Sequence, residues 1–126
     1  MDLYREEILE HAKNPKNWGE MENPTVKVQT PNPLCGDVID LFLKLEGDPP
    51  KITEASFKTN GCVVSVASSS MLTEAIKGKK ASNALKLGED DVLSWFGGTL
   101  TSSRRDCALL PLKALKEILG KAIIVG

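Results

Sequence analysis

The spacing of apolar residues changes period once along this chain, at Asn60-Gly61, and that change restricts the fold more than any other feature. Before it, residues 25–30 and 38–46 alternate apolar and polar side chains, which is typical of half-buried strands. Residues 51–59 repeat the pattern more weakly. Because short turns separate the three segments, the sequence predicts a meander of three antiparallel strands.

Helical spacing is found on both sides of the predicted strands. Residues 3–13 form one amphipathic segment, which Asn14-Pro15 ends, and residues 63–77 form another, closed by Gly78. Ser82 is the expected cap of a short helix ending at Gly88, and residues 89–96 form the next. Ser103 and Asp106 have the spacing of a capping box that opens a last helix. The fold class is therefore α+β, a three-stranded sheet with an N-terminal helix and several C-terminal helices packed on it.

Length and charge narrow the function classes. A chain of 126 residues suits one domain, residues 1–126, with its own core. Sixteen Lys and Arg against seventeen Asp and Glu give a net charge of −1, so we expect neither a nucleic acid nor a membrane surface as partner. No stretch approaches the roughly 18 apolar residues of a membrane span. We predict a cytoplasmic protein.

Three cysteines are the candidate reactive groups, at positions 35, 62 and 107. An odd count in a reducing compartment favours thiols over disulfides. The residues are too far apart along the chain for a zinc finger or ribbon, whose ligands come in close pairs. Any site that joins these cysteines must therefore be assembled by the fold.

Their local settings favour thiolates. Cys35 and Asp37 lie in a turn, Cys62 is predicted at a helix start, and Cys107 is predicted in the first turn of the last helix, beside Arg104 and Arg105. Helix starts and arginines lower thiol pKa values. Three thiolates and the Asp37 carboxylate would complete a tetrahedron for Zn²⁺ or hold an iron–sulfur cluster.

Simpler interpretations stay open at this point. A lone cysteine is most often a small buried apolar residue, and Asp37 could merely brace its own turn. Asp106 fits a capping acceptor better than a ligand, and His11 fits a solvated or capping group. With one histidine in the chain, a cysteine hydrolase is hard to build.

Longer motifs carry a family resemblance. Asn-Pro-Leu-Cys-Gly-Asp at 32–37, Asn-Gly-Cys at 60–62 running into Ser-Val-Ala-Ser-Ser-Ser-Met-Leu-Thr-Glu at 65–74, and Cys-Ala-Leu-Leu-Pro at 107–111 resemble the NifU-like N-terminal domain of IscU and SufU iron–sulfur assembly scaffolds. Residues 4–19, with His11 and Asn14-Pro15-Lys16-Asn17, resemble the family's first helix and following loop.

The resemblance implies a site formed by Cys35, Asp37, Cys62 and Cys107. Such proteins accept persulfide sulfur from a cysteine desulfurase, with Cys35 and Cys107 as the candidate acceptors here. They build a transient [2Fe–2S] cluster with iron and pass it to apo iron–sulfur proteins or carriers. Many bind Zn²⁺ at the same residues. The aspartate matching Asp37 is associated with keeping the cluster transferable.

Two departures separate this chain from both branches. IscU-type members carry a histidine just before the third cysteine, in a segment that a dedicated Hsp70 chaperone recognises. Here Asp106 replaces that histidine and the chaperone motif is missing, so IscU-type chaperone recognition is not expected. SufU-type members usually carry an insertion between the second and third cysteines that this chain lacks.

The sequence thus leaves three functions in competition. The first is an iron–sulfur scaffold, which would be a carrier and not an enzyme. The second is a zinc-dependent persulfide acceptor of the SufU type that stimulates a desulfurase. The third is a structural zinc domain. Whether Asp106 is a ligand, and whether a cluster bridges two chains as a homodimer, also stays open.

Overall fold

The computed structural model describes residues 2–32, 36–97 and 100–125, with side chains from residue 6 to residue 120 in those ranges. Cys35, one of the predicted site residues, lies outside the described residues. The elements in chain order are α1 (Asp2–Lys13), β1 (Val26–Asn32), β2 (Asp37–Glu46), β3 (Lys51–Thr59), α2 (Val63–Ile76), α3 (Ala81–Ala84), α4 (Glu89–Ser94) and α5 (Ser102–Val125). The predicted α+β class is confirmed.

The three strands form one antiparallel sheet in the order β1-β2-β3. Thr30 pairs with Ile39 across the first hairpin, and Leu41 pairs with Phe57 across the second. The first hairpin brings Asn32 opposite Asp37, and the N–H of Gly36 donates to the Asn32 carbonyl at 2.9 Å. Asp37 is therefore held at the very end of the sheet.

Helices α2 and α5 cover one face of the sheet and form the main core with it. The alternation predicted for β2 puts Ile39, Leu41 and Leu43 on the covered face, all fully buried. Leu72 of α2 and Leu115 of α5 are also fully buried and belong to the same cluster. This packing fixes the N-terminal end of α2 beside the first turns of α5.

A second, smaller cluster lies at the junction of α1, α2 and α5. It contains Ile8, Val64, Met71 and Phe96 together with Cys107, whose side chain is only 4% exposed. The Cys107 side chain therefore packs against apolar residues of this cluster.

Two predicted helix starts are wrong. Helix α5 begins at Ser102, so Ser103 lies inside it and is not its cap, and Cys107 lies in the second turn and not the first. The N–H of Arg105 donates to the Thr101 carbonyl at 2.9 Å, which extends the helical pattern back to Thr101. The short helix α3 follows Lys80 and not Ser82. Runs of residues that can all cap a helix leave its first residue ambiguous.

Serine and threonine side chains of α2 fasten the segment that follows α1. The hydroxyl of Ser70 lies 2.7 Å from His11 Nδ1 and accepts the backbone N–H of Lys16 at 2.8 Å. Asn17 has a left-handed φ of 65° and donates to Thr73 Oγ1 at 3.0 Å. His11 is thus half-buried and bound to Ser70, where the sequence suggested a solvated or capping group.

None of the helices in the described part of the chain has both the length and the apolar character to cross a bilayer.

Candidate metal centre

Three of the four predicted site residues meet at one end of the sheet. Asp37 is the first residue of β2, Cys62 is the N-cap of α2, and Cys107 lies in the second turn of α5. One ligand atom from each lies within 4.8 Å of the other two. The sequence separation of these residues means that only the packing of α2 and α5 on the sheet can bring them together.

The spacing of these atoms fits a small thiophilic ion. Zn–S bonds of about 2.3 Å in a tetrahedron place neighbouring ligand atoms about 3.8 Å apart. The Cys107 Sγ atom already lies 3.7 Å from Asp37 Oδ2, at hydrogen-bonding distance for a thiol. A contraction of about 1 Å in the longest separation would therefore complete three corners of a tetrahedron.

The position of Cys62 at a helix N-terminus favours its thiolate. Burial raises its pKa, but hydrogen bonds from the Ser65 N–H, the Cys107 thiol, the Val64 N–H and the Ser65 hydroxyl outweigh burial and leave the pKa below its ordinary value. The unpaired N–H groups of a first helical turn stabilise negative charge in this way. The helix-start prediction for Cys62 is confirmed.

Cys107, unlike Cys62, does not lie at a helix N-terminus. Cys107 lies one turn deeper in α5 than the sequence suggested, so the dipole argument does not carry over to it. Arg104 and Arg105, which precede it, are exposed. The Cys62 thiol and the Asp37 carboxylate both lie close to its sulfur.

Access differs among the three residues. Asp37 and Cys62 are half-buried, whereas Cys107 is buried. An ion held here would be partly shielded from water and still reachable from the side of Asp37 and Cys62.

Two supporting residues were missed by the sequence reasoning. Ser65, fully buried at the third position of α2, has its Oγ 3.4 Å from Asp37 Oδ2 and 3.3 Å from the Cys107 carbonyl oxygen. Gly61 leaves room for both groups, because a Cβ there would stand 2.7 Å from Ser65 Cβ and 3.1 Å from Asp37 Oδ2. A serine at the third helical position after a cysteine N-cap is the one local signal that could have pointed to Ser65.

Asp106 faces a different space. It is half-buried and lines a groove of about 590 Å³ together with Asn32, Leu109 and Lys113. Among the described residues, the cluster of close ligand atoms consists of Asp37, Cys62 and Cys107 alone. His11 is not part of this cluster and is hydrogen-bonded to Ser70 of α2.

Residues 3–122 match the profile of the family described as the NifU-like N terminal domain. The chain belongs to this family. The match includes every element that supplies a candidate ligand, so the resemblance seen in the sequence motifs is confirmed.

Curated members of the NifU-like family match nearly the whole chain. The zinc-dependent sulfurtransferase SufU of Bacillus subtilis is 37% identical over 94% of this chain and 90% of its own length. The iron–sulfur cluster assembly scaffold protein IscU 1 of Archaeoglobus fulgidus is 34% identical over 91% of this chain and 73% of its own length.

A crystal structure supports the NifU-like fold independently. It is described as an iron–sulfur cluster assembly scaffold protein for the SUF system from Fervidobacterium islandicum. It superposes with a TM-score of 0.78 at 28% identity, over 90% of this chain and 94% of that one.

Proposed function

We propose that this protein is a scaffold on which a transient [2Fe–2S] cluster is assembled and then passed to apo-proteins or carriers. The observation that carries the proposal is the convergence of Asp37, Cys62 and Cys107, whose ligand atoms lie within 4.8 Å of one another. We assign Cys35 as the fourth ligand, since it stands two residues before Asp37 in the chain. Residues 1–126 act as one unit in this role, in the cytoplasm.

The mixed ligand set explains why the cargo would be released. Iron–sulfur clusters are usually held by four thiolates, and here a carboxylate takes one of the four positions. An oxygen ligand is harder than a thiolate and binds cluster iron less firmly. Asp37 is also half-buried, so an acceptor's thiolate can approach from its side. The site thus favours temporary binding.

Sulfur would come from a cysteine desulfurase as a persulfide. A thiolate of this chain attacks the outer sulfur of that persulfide, a new S–S bond forms here, and the desulfurase leaves as its thiolate. Cys35 and Cys107 are the candidate acceptors. Because Cys107 is 4% exposed, its sulfur must move outward before it can be the first acceptor. Reduction of each transferred sulfur to sulfide takes two electrons from an added reductant.

Anaerobic reconstitution tests the scaffold role. The protein is incubated with ferrous iron, dithiothreitol and either a desulfurase with free cysteine or inorganic sulfide, which bypasses any mismatch with the desulfurase. We expect a visible cluster absorption that moves to an apo-ferredoxin on mixing, and no absorption from the Cys62→Ser variant. Absence of a cluster in the wild-type protein with both sulfur sources would reject the proposal.

The second candidate is a zinc-dependent sulfur acceptor that stimulates a desulfurase. Two observations favour it, the suitability of the Asp37, Cys62 and Cys107 geometry for Zn²⁺ and the likeness to a relative named a zinc-dependent sulfurtransferase. In this role, exchange of one zinc ligand would expose a thiolate for attack on the persulfide. The zinc form alone would then raise desulfurase turnover, and mass spectrometry would locate the persulfide on one cysteine.

A purely structural zinc role gives the opposite results. Chelation would unfold the chain, and no desulfurase would respond to it. The described core is already extensive without a metal, with Ile39, Leu41, Leu43, Leu72 and Leu115 all fully buried. We therefore expect the metal-free protein to stay folded.

A further inference from the structure

Pro111 creates an unusual requirement inside α5. Proline has no backbone N–H, so Pro111 cannot donate the usual helical hydrogen bond to the carbonyl four residues earlier, that of Cys107. Buried carbonyls need a partner. The hydroxyl of Ser65 on α2 supplies it, with Oγ 3.3 Å from the Cys107 oxygen.

The same hydroxyl also faces the Asp37 carboxylate. Ser65 Oγ lies 3.4 Å from Asp37 Oδ2, almost the same distance as from the Cys107 carbonyl. A serine hydroxyl has one proton to donate, and both of these groups are acceptors. The proton is therefore shared between a candidate ligand and the backbone of another.

We propose that Ser65 is a positioning residue that holds the Asp37 carboxylate in place against the Cys107 turn of α5. The proposal rests on the proposed function, since it takes Asp37, Cys62 and Cys107 as metal ligands. Ser65 contacts the Asp37 carboxylate and the Cys107 carbonyl from one fully buried position, and a hydrogen-bonded carboxylate keeps its orientation when an ion arrives or leaves. Ser65 thereby joins a candidate ligand on the sheet to the backbone of α5.

Ser68 provides a matched control. Its hydroxyl donates to the carbonyl of Ala108, the residue after Cys107, at 2.5 Å, and it is fully buried on the same helix as Ser65. Among the described residues, this hydroxyl bonds the Ala108 carbonyl and no side chain of Asp37, Cys62 or Cys107. Ser65→Ala and Ser68→Ala therefore remove similar hydroxyls, and only the first removes a contact with Asp37.

Zinc affinity, measured by competition with a chromophoric chelator, tests the proposal. Loss of a residue that orients a ligand typically lowers metal affinity by about 10–100-fold. We expect Ser65→Ala to lower it by about tenfold, and to shift the visible bands of the cobalt-substituted protein. Ser68→Ala should change zinc affinity by no more than about twofold and leave the cobalt bands in place, because Ser68 does not orient a ligand. Equal zinc affinity and equal cobalt spectra in wild type and Ser65→Ala would overturn the proposal.

A second variant distinguishes two roles of Ser65, orienting the Asp37 carboxylate and supplying a hydrogen bond to the Cys107 carbonyl of α5. Pro111→Ala restores an N–H that can satisfy the Cys107 carbonyl, so Ser65→Ala combined with Pro111→Ala should recover thermal stability but not zinc affinity. Full recovery of affinity in this double variant would mean that Ser65 only serves the helix backbone, and would overturn the proposal. The double variant also keeps the test valid if Ser65→Ala alone does not fold. If the wild-type protein binds neither zinc nor cobalt and forms no cluster in the anaerobic reconstitution, the proposed function itself fails.

Discussion

Helix α2 holds its neighbours in two different ways at its two ends. In its C-terminal half, Ser70 bonds His11 Nδ1 at 2.7 Å and the Lys16 N–H at 2.8 Å. At its N-terminal end, the contacts of Ser65 with Asp37 and with the Cys107 carbonyl are 3.4 and 3.3 Å long. Both ends use buried hydroxyls, and the hydrogen bonds of Ser70 are shorter than those of Ser65.

The difference matches what each end has to do. The C-terminal half fastens the segment that follows α1 through hydrogen bonds to His11, Lys16 and Asn17. The N-terminal end holds candidate ligands, with a single proton shared between two acceptors and a Cys107 sulfur 3.7 Å from the Asp37 carboxylate. A site that must accept and release its cargo is better served by contacts that can lengthen or exchange. Substitutions at one end of α2 can therefore be compared with substitutions at the other.

The largest change in zinc affinity is expected from Cys62→Ser. Serine is a preferred N-cap, so helix α2 should keep or gain stability. Zinc affinity should nevertheless fall at least about a hundredfold, beyond the loss expected for a supporting residue, because a ligand is gone. Chelator competition and thermal unfolding on the same sample measure both quantities. A variant that is destabilised but binds zinc normally would show that Cys62 is only a packing residue.

Gly61→Ala should lower the free energy of unfolding, because it crowds the N-terminal end of α2. The added Cβ would stand 2.7 Å from Ser65 Cβ, so the start of α2 must shift at a cost toward the upper end of about 1–3 kcal/mol. Gly120→Ala in α5 is the control, since its Cβ would meet nothing within 4 Å. It should stabilise the protein by about 0.5–1 kcal/mol. Urea unfolding gives both values, and equal signs for the two variants would contradict the packing account.

Ser70→Ala should affect the other end alone. It leaves the buried side of His11 and the Lys16 N–H without their shared partner, at a cost of about 1–2 kcal/mol. Zinc affinity should stay within about twofold of wild type, since Ser70 supports none of the ligands. A loss of zinc affinity as large as that of Ser65→Ala would mean that the two ends of α2 do not act independently.

The smallest effect concerns Glu74 and pH. A hydrogen bond from Asn17 lowers the pKa of Glu74 below its ordinary value of 4.5; burial opposes this shift, and Lys77 lowers the pKa further. A carboxylate with a lowered pKa adds stability above its unfolded pKa, and that stability is lost as pH falls through the folded pKa. The side chain is 45% exposed, so the contribution is less than about 1 kcal/mol.

Glu74→Gln tests this by urea unfolding at several pH values. The variant should be less stable than wild type at pH 7, and the difference should disappear in acid, once Glu74 of the wild type is protonated. A difference that stays constant with pH would assign the effect to packing and not to charge.

The sequence predicted the sheet well because alternation reports directly on a half-buried strand. Residues 51–59 were placed without error, and β2 differs by one residue at its start. Cys62 was found at a helix start because Asn60-Gly61 marks the change of period. These patterns are local, and a local pattern predicts the structure correctly when the packing of the core favours the same conformation.

Contacts between distant parts of the chain could not be predicted in this way. Nothing near Ser65 in the sequence indicates that it meets the carbonyl of Cys107, 42 residues later. The start of α5 was misplaced because Thr101, Ser102 and Ser103 can all cap a helix. The convergence of the cysteines was expected from chemistry and from the family resemblance, and Cys35 remains a prediction.

X-ray absorption spectroscopy of the zinc-bound protein tests the central claim most directly. The account predicts three sulfur ligands at about 2.3 Å and one light-atom ligand at about 2.0–2.2 Å. In Asp37→Ala that light atom should no longer come from this carboxylate, and the zinc affinity should fall. A first shell with one sulfur or none in the wild-type protein would contradict the account.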